Sequence, residues 1–292
     1  MKKLIKIVGI LLLVAIVGAG SFAAYIYSHI PSEQQIKGCV VTTMYQVNLC
    51  PGSKDYVPLK QISSLLQKTV ILTEDSSFYE HNGFDWKSIE ENARKNYEKG
   101  TYAKGGSTIS QQLAKNMFLY KDKTLLRKGL ELVITMKIEK TLSKKEILER
   151  YLNVVEFGKD IYGVKQAAHF YFKKTPAQLD VVESAFLAMI LPNPVKYSQS
   201  YFRKELTPFA HKRIKQIVTD MYQYSRITED EYNTAMYKVD SFFSPGGGSM
   251  DAYLQEIENS GQNVDGNNSP QTTDMPTLDE LENLGSEEDS GF

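Results

Sequence analysis

Residues 74–85 read EDSSFYEHNGFD, and twenty residues later residues 105–116 read GGSTISQQLAKN. The first stretch closes the apolar run Val70-Ile71-Leu72. From Leu59 onward, Ile62, Leu65, Leu66, Thr69 and Val70 recur at three- and four-residue spacing, which predicts a helix that packs one face and stops at Glu74. Its last turn then presents a carboxylate, with Asp75, Phe78, His81 and Gly83 just beyond. In the second stretch Ser107 or Thr108 can cap a helix whose apolar side uses Ile109, Leu113 and Met117. The two glycines before the cap let backbone approach a ligand, and a helix amino terminus favours an anion. Taken singly, Glu74-Asp75 is an ordinary polar helix end and GGST an ordinary turn. Together, and followed by a basic segment, they read as a site rather than a core.

That basic segment holds Lys115, Lys121, Lys123, Arg127 and Lys128. A solvated basic face is the plain alternative, and Glu131, four residues after Arg127, can be a simple i,i+4 partner. A helix over Leu125 to Thr141 is expected, with Leu126, Leu130, Val133, Ile134 and Ile138 as its core stripe. Upstream, Asp85 can cap a helix with Trp86, Ile89, Ala93 and Tyr97 on one face, stopping at Gly100. Downstream, Ser143-x-x-Glu146 is a capping box opening a helix through Ile147, Leu148, Tyr151 and Leu152. Phe157 to Gly163 reads as a loop with an aromatic wall. Helices follow over Val164 to Phe172, from Thr175-Pro176 through Leu179 to Met189, from Thr207-Pro208 through Met221, and after Thr228-x-x-Glu231. The expected class is mainly α, with one catalytic domain at 58–243.

The ends differ in kind. Ile7 to Ser28 carries no charge over 22 residues and follows Lys2, Lys3 and Lys6, which suits a transmembrane anchor with the amino end in the cytoplasm. A cleaved signal peptide is the rival, though its apolar region is usually shorter, about 7–15 residues. Residues 1–28 are thus expected as a basic end and anchor. Residues 29–57 are expected as an extracytoplasmic linker, in which VVTTMYQV and Pro51-Gly52 can form a short strand pair. Cys39 and Cys50 can pair outside the cytoplasm or stay as two thiols. The segment 244–292 is expected as a disordered acidic tail. From Gly246 onward it has eleven acids and no lysine or arginine; without it, the 34 basic and 35 acidic residues of the chain leave a net +10. Such a basic body suits anionic headgroups or a pyrophosphate, and outside the cytoplasm it meets no nucleic acid.

The motifs resemble a known family, the peptidoglycan glycosyltransferases, and most closely their monofunctional branch. The resemblance rests on Glu-Asp-x-x-Phe-x-x-His-x-Gly (Glu74 to Gly83), GGSTISQQLAKN, RKGLE (Arg127 to Glu131), KKEILERYLN (Lys144 to Asn153) and FGKDIYGVKQAA (Phe157 to Ala168), in the family's order, and covers Pro58 to Tyr224. It implies a lysozyme-like helical domain with a smaller membrane-facing lobe. It also implies polymerisation of lipid II into β-1,4-linked glycan strands with release of undecaprenyl pyrophosphate. By resemblance Glu74 is the base and Glu131 a supporting catalytic carboxylate. Ser107, Thr108, Gln111, Gln112, Lys115, Asn116, Lys123, Arg127 and Lys128 bind substrate, and Asp75, Phe78, His81 and Gly83 brace the site. Lys123 stands where an arginine is common, which weakens its assignment.

The resemblance leaves open a divalent cation, magnesium or manganese. The partners it implies are lipid II, the growing glycan chain and the cytoplasmic membrane, with division or elongation proteins as further candidates and the catalytic domain in the periplasm or its equivalent. Neither SxxK nor KTG occurs, so no transpeptidase is expected. The alternatives are a membrane-anchored lytic, muramidase-like enzyme and an inactive scaffold for the cell-wall machinery. The run Met117-Phe118-Leu119-Tyr120, flanked by lysines, is expected to dip Phe118 and Leu119 into the outer leaflet.

Overall fold

The computed structural model of the chain describes residues 2–99, 106–121 and 124–243; Lys123, Gly105 and the acidic tail lie outside them. The expectation of a mainly helical protein holds. Helix α1 (Lys2–His29) has 28 residues, about 42 Å at 1.5 Å per residue, and is apolar and long enough to cross a membrane. Ser32 caps the short α2 (Glu33–Lys37) with a capping box. The expected strand pair follows as β1 (Val40–Val41) and β2 (Asn48–Leu49), antiparallel and closed by a Cys39–Cys50 disulfide. This segment is packed onto the body: Ile36 and Leu49 are buried, and Thr43 N–H donates to Met117 O.

The predicted helix before Glu74 is two pieces, a single 3₁₀ turn (Leu59–Gln61) and α3 (Ser64–Glu74). Gln67 Nε2 donates to Leu59 O and Ile62 O, which secures the break between them. Next come α4 (Trp86–Lys99), α5 (Ile109–Phe118), α6 (Leu125–Thr141) and α7 (Lys144–Val154). Asp85 caps α4 by accepting from Ser88 N–H, as expected. The proposed packing face of α4 is not realised, since Trp86 and Tyr97 are exposed. On α6, Leu130, Ile134 and Ile138 are buried as expected, whereas Leu126 is exposed.

The expected loop at Phe157 is instead a hairpin, β3 (Glu156–Gly158) with β4 (Ile161–Tyr162). Phe157 points into the core rather than forming a wall. After α8 (Gly163–Phe172), Thr175 opens only a 3₁₀ turn (Pro176–Gln178). Asp180 then starts a separate helix, α9 (Val181–Ile190), with its own capping box. The chain closes with α10 (Pro194–Tyr197), α11 (Gln199–Arg203), α12 (Pro208–Gln223) and α13 (Glu229–Asp240).

Helix α9 is apolar apart from Glu183 and Ser184 in its first turn, and every residue of it but Glu183 is buried. It packs against α3, α12 and α13. Helix α5 is held between α6 and α7 in the same way. Because α3 ends on Glu74 while α5 begins on Thr108, the two packed groups bring the two diagnostic stretches together. The run after α5 is mostly core: Met117 and Leu119 are buried, Phe118 is half-buried, and only Tyr120 is exposed. Leu119 therefore does not dip into a leaflet; its side chain faces inward from the extended cap of α5.

Candidate active site

Helix α3 stops because Asp75 leaves helical geometry, with φ −162° and ψ 72°. Its carboxylate turns back into the protein, where Oδ1 lies 2.8 Å from His81 Nε2 and Oδ2 accepts from Ile109 N–H at 2.9 Å. The second bond caps the first turn of α5, one of the orphan donors every helix start exposes. His81 Nδ1 accepts from Gly83 N–H at 3.1 Å, so Nε2 carries a proton and donates to Asp75. Gly83 has φ +92°, and a Cβ there would meet Thr135 Cγ2 at 2.9 Å and Glu139 Cγ at 3.0 Å. Thr108 Oγ1 donates to Gly83 O at 2.7 Å while its box with Gln111 caps α5. Phe78 is fully buried under Lys144, whose Nζ lies 4.7 Å from the ring centroid. Asp75, Phe78, His81 and Gly83 thus form one brace. Burial pushes the Asp75 carboxyl upward, partly opposed by its bonds from His81 and Ile109 and by the charges of His81 and Lys144.

Glu74, the neighbour of that brace, is only half-buried. Its Oε2 accepts from Gln112 Nε2 at 2.9 Å, and Gln112 Oε1 in turn accepts from the Tyr151 hydroxyl at 3.1 Å. Lys115 sits one turn further along α5. Burial pulls its ammonium below the usual range; Glu131 opposes that, Arg127 and Lys128 reinforce it, and Glu74 opposes it. Lys115 thus feels both predicted glutamates and two further cations of the basic segment, Arg127 and Lys128, through space.

Glu131 is buried, with Lys128 Nζ 2.5 Å from Oε1 and Arg127 3.7 Å from Oε2. Its carboxylate is thereby paired with two cations. Among the described residues no three His, Cys, Asp or Glu side chains gather as a metal site, and the Glu131 carboxylate already meets two cations. These donors do not fit a resident magnesium or manganese ion.

The remaining candidates divide. Ser107 is exposed beside the cap, which is Thr108 alone. Gln111 is buried in that cap, where its side chain accepts from Thr108 N–H. Asn116 is buried, and its Oδ1, like Arg127 Nε, has no hydrogen-bond partner among the described residues. Tyr151, read from the sequence as a core position, belongs to the site. The signal for it was available, because a phenol on an apolar face must find a hydrogen-bond partner. Glu139 was also missed: it accepts from Ser110 Oγ and from Lys144 Nζ, joining α5, α6 and α7 behind the brace.

The transglycosylase family model matches residues 41–222. Similar relatives bear the name biosynthetic peptidoglycan transglycosylase. That of Acinetobacter baylyi is 46% identical over 51% of this chain and 67% of its own. That of Azoarcus sp. is 49% identical over 50% of this chain and 63% of its own. That of Aeromonas hydrophila subsp. hydrophila is 44% identical over 62% of this chain and 75% of its own. The chain thus spans between 63% and 75% of the length of these three relatives. A helical body that sets a carboxylate beside a cationic cluster, together with a family match running from β1 to α12, leads to one assignment: the chain belongs to the transglycosylase family.

Proposed function

We propose that this chain is a membrane-anchored peptidoglycan glycosyltransferase that polymerises lipid II. The observation that carries the reading is the half-buried Glu74 carboxylate, held by Gln112 within electrostatic range of Lys115 and the Arg127–Lys128–Glu131 cluster. A sugar hydroxyl is a poor nucleophile, so a carboxylate within hydrogen-bond reach must take its proton as it attacks. In this reading the 4-hydroxyl of a GlcNAc attacks C1 of a MurNAc, its proton passes to Glu74, and the C1–oxygen bond to the lipid pyrophosphate breaks. The leaving pyrophosphate keeps the electron pair. The product link is β, by inversion. Charge developing on the pyrophosphate is what fixed cations stabilise, and in this reading Lys115, Arg127 and Lys128 supply them.

Glu131 orients the cations and is not a second base. A lytic enzyme on this scaffold would have no use for the cationic cluster. Anchoring by α1 with the catalytic body outside the cytoplasm places the site beside a substrate whose tail stays in the bilayer.

The test is turnover of purified lipid II by the full chain in detergent, with glycan strands and undecaprenyl pyrophosphate as products. Glu74→Gln keeps shape but not basicity and is expected to slow polymerisation by about 10²–10⁴-fold. A variant within tenfold of the unaltered chain overturns the role of Glu74. Soluble muropeptides released from intact sacculi would point to the lytic reading instead.

A further inference from the structure

The Gln112 amide can face Glu74 with either end. Nitrogen toward the carboxylate donates to it, whereas oxygen toward it sets two acceptors against each other. The choice is made on the far side of the amide, where the Tyr151 hydroxyl lies 3.1 Å from Gln112 Oε1. Tyr151 is wholly buried on α7. Its ionisation is disfavoured first by that burial and then by the Glu74 and Asp75 carboxylates and by Tyr45. It therefore stays an O–H, and an O–H meeting an amide donates to its oxygen. We propose that Tyr151 is a positioning residue for proton transfer, acting through Gln112 to hold the Glu74 carboxylate in its working direction.

Tyr151 itself meets no reacting atom. Gln112, expected from the motif to bind substrate, is here committed to Glu74. The inference rests on the reading of Glu74 as base. Its physical content is that three side chains from three helices are chained by two hydrogen bonds, 3.1 and 2.9 Å long, so that the rotamer of the first sets that of the last. A carboxylate that accepts a fixed N–H is also stabilised in its charged form. The link therefore aims Glu74 and sets a donor against its charged form. Groups coupled to Glu74 through space include Lys115 of α5, whose charge acts in the same sense, and Tyr151 of α7, while Asp75 adjoins it at the end of α3.

The experiment is the rate of lipid II polymerisation against pH for the full chain in detergent, in unaltered form and as Tyr151→Phe, Gln112→Leu and the double variant. Tyr151→Phe removes one oxygen and nothing else. It is expected to lower kcat about tenfold, as a misaimed catalytic group does, with KM within about twofold. The acid limb of the profile should move to higher pH, because Glu74 loses a donor to its charged form. The double variant should match Gln112→Leu alone, since Tyr151 acts only through that amide. A Tyr151→Phe chain with unaltered rate and acid limb overturns the proposal, as does a double variant in which the two losses multiply. A purely structural role for Tyr151 would lower the melting temperature and leave the acid limb in place, and that also overturns it. Should Tyr151→Phe melt too low to assay, Gln112→Leu carries the same test through its acid limb. An unaltered chain that does not polymerise lipid II refutes the function itself; an active chain indifferent to Tyr151→Phe refutes only this inference.

Discussion

Replacing Asp75 by Ala tests the brace on which the site is built. The Asp75 side chain is 2% exposed and receives two hydrogen bonds, from His81 Nε2 at 2.8 Å and from Ile109 N–H at 2.9 Å. Removing it leaves the Ile109 N–H unpaired in the interior, at about 1–3 kcal/mol, and the His81 donor unpaired with it. Relief of the carboxylate's own burial, visible in its raised pKa, offsets part of that loss. The expected net destabilisation is about 3 kcal/mol; for a body of this size that is a fall in Tm of about 10 °C, at ~2–4 °C per kcal/mol. Asp75→Asn should cost about half as much. Its oxygen can still accept from Ile109, but its NH₂ then faces His81 Nε2–H, which cannot turn acceptor because His81 Nδ1 already accepts from Gly83 N–H. The measurement is thermal unfolding of the full chain in detergent for the unaltered form and both variants. An Asp75→Ala chain within about 1 kcal/mol of the unaltered one would refute the reasoning, because the two bonds would then hold nothing that water could not replace.

Three further outcomes are expected. Gly83→Ala combines a φ of +92° with a Cβ 2.9 Å from Thr135 Cγ2, and should destabilise by about 2–4 kcal/mol; a Tm within error of the unaltered chain would contradict it. Replacing both Cys39 and Cys50 by Ser opens a bridge across a separation of 11 residues, and should cost up to about 3 kcal/mol, seen as matching Tm losses for the variant and for the unaltered chain in reductant. Asp85 carries the third: burial pushes its carboxyl up, but bonds from the Ser77 and Ser88 hydroxyls and the Ser88 N–H outweigh this and bring it to about 2, against an ordinary 3.8. Its folded pKa is below the unfolded one, so its stabilisation is present above pH 3.8 and is lost as pH falls through about 2. Asp85→Asn should flatten unfolding against pH in that window, and an unchanged slope would count against the assignment.

The caps were the most legible part of the fold. Thr108, Ser143, Thr207 and Thr228 each bond a backbone N–H three residues on, so cap and partner lie within one turn of sequence. The end of α3 at Glu74 was legible for a similar reason, since the apolar period stops where polar residues begin. The chain from Tyr151 through Gln112 to Glu74 was not. Its links join residues 39 and 38 positions apart, and no local period reports a contact made by packing α3, α5 and α7 together. Periodicity also misjudged direction: Trp86 and Tyr97 are exposed among the described residues, whereas Leu119 and Phe157, outside any helical stripe, are buried. The resemblance covers the chain from Pro58, yet the family match begins at residue 41. The hairpin there has no chemistry-bearing motif; it is held by a disulfide and by a backbone bond to Met117.

The joint between α1 and the body sets a limit on reach. Helix α1 ends at His29 and α2 begins at Glu33, and Pro31 between them is buried. Even drawn straight, such a joint spans only on the order of 14 Å. With α1 as the proposed anchor, a body hung on so short a stub cannot sample the space above a membrane; it travels with its anchor at a single altitude. Encounters with any partner held in the same sheet of lipid are then collisions in a plane, governed by lateral drift rather than by diffusion through a volume. Lengthening the joint with a flexible insert would release the body into a hemisphere and dilute it away from that plane, with every residue of the cleft left as it is.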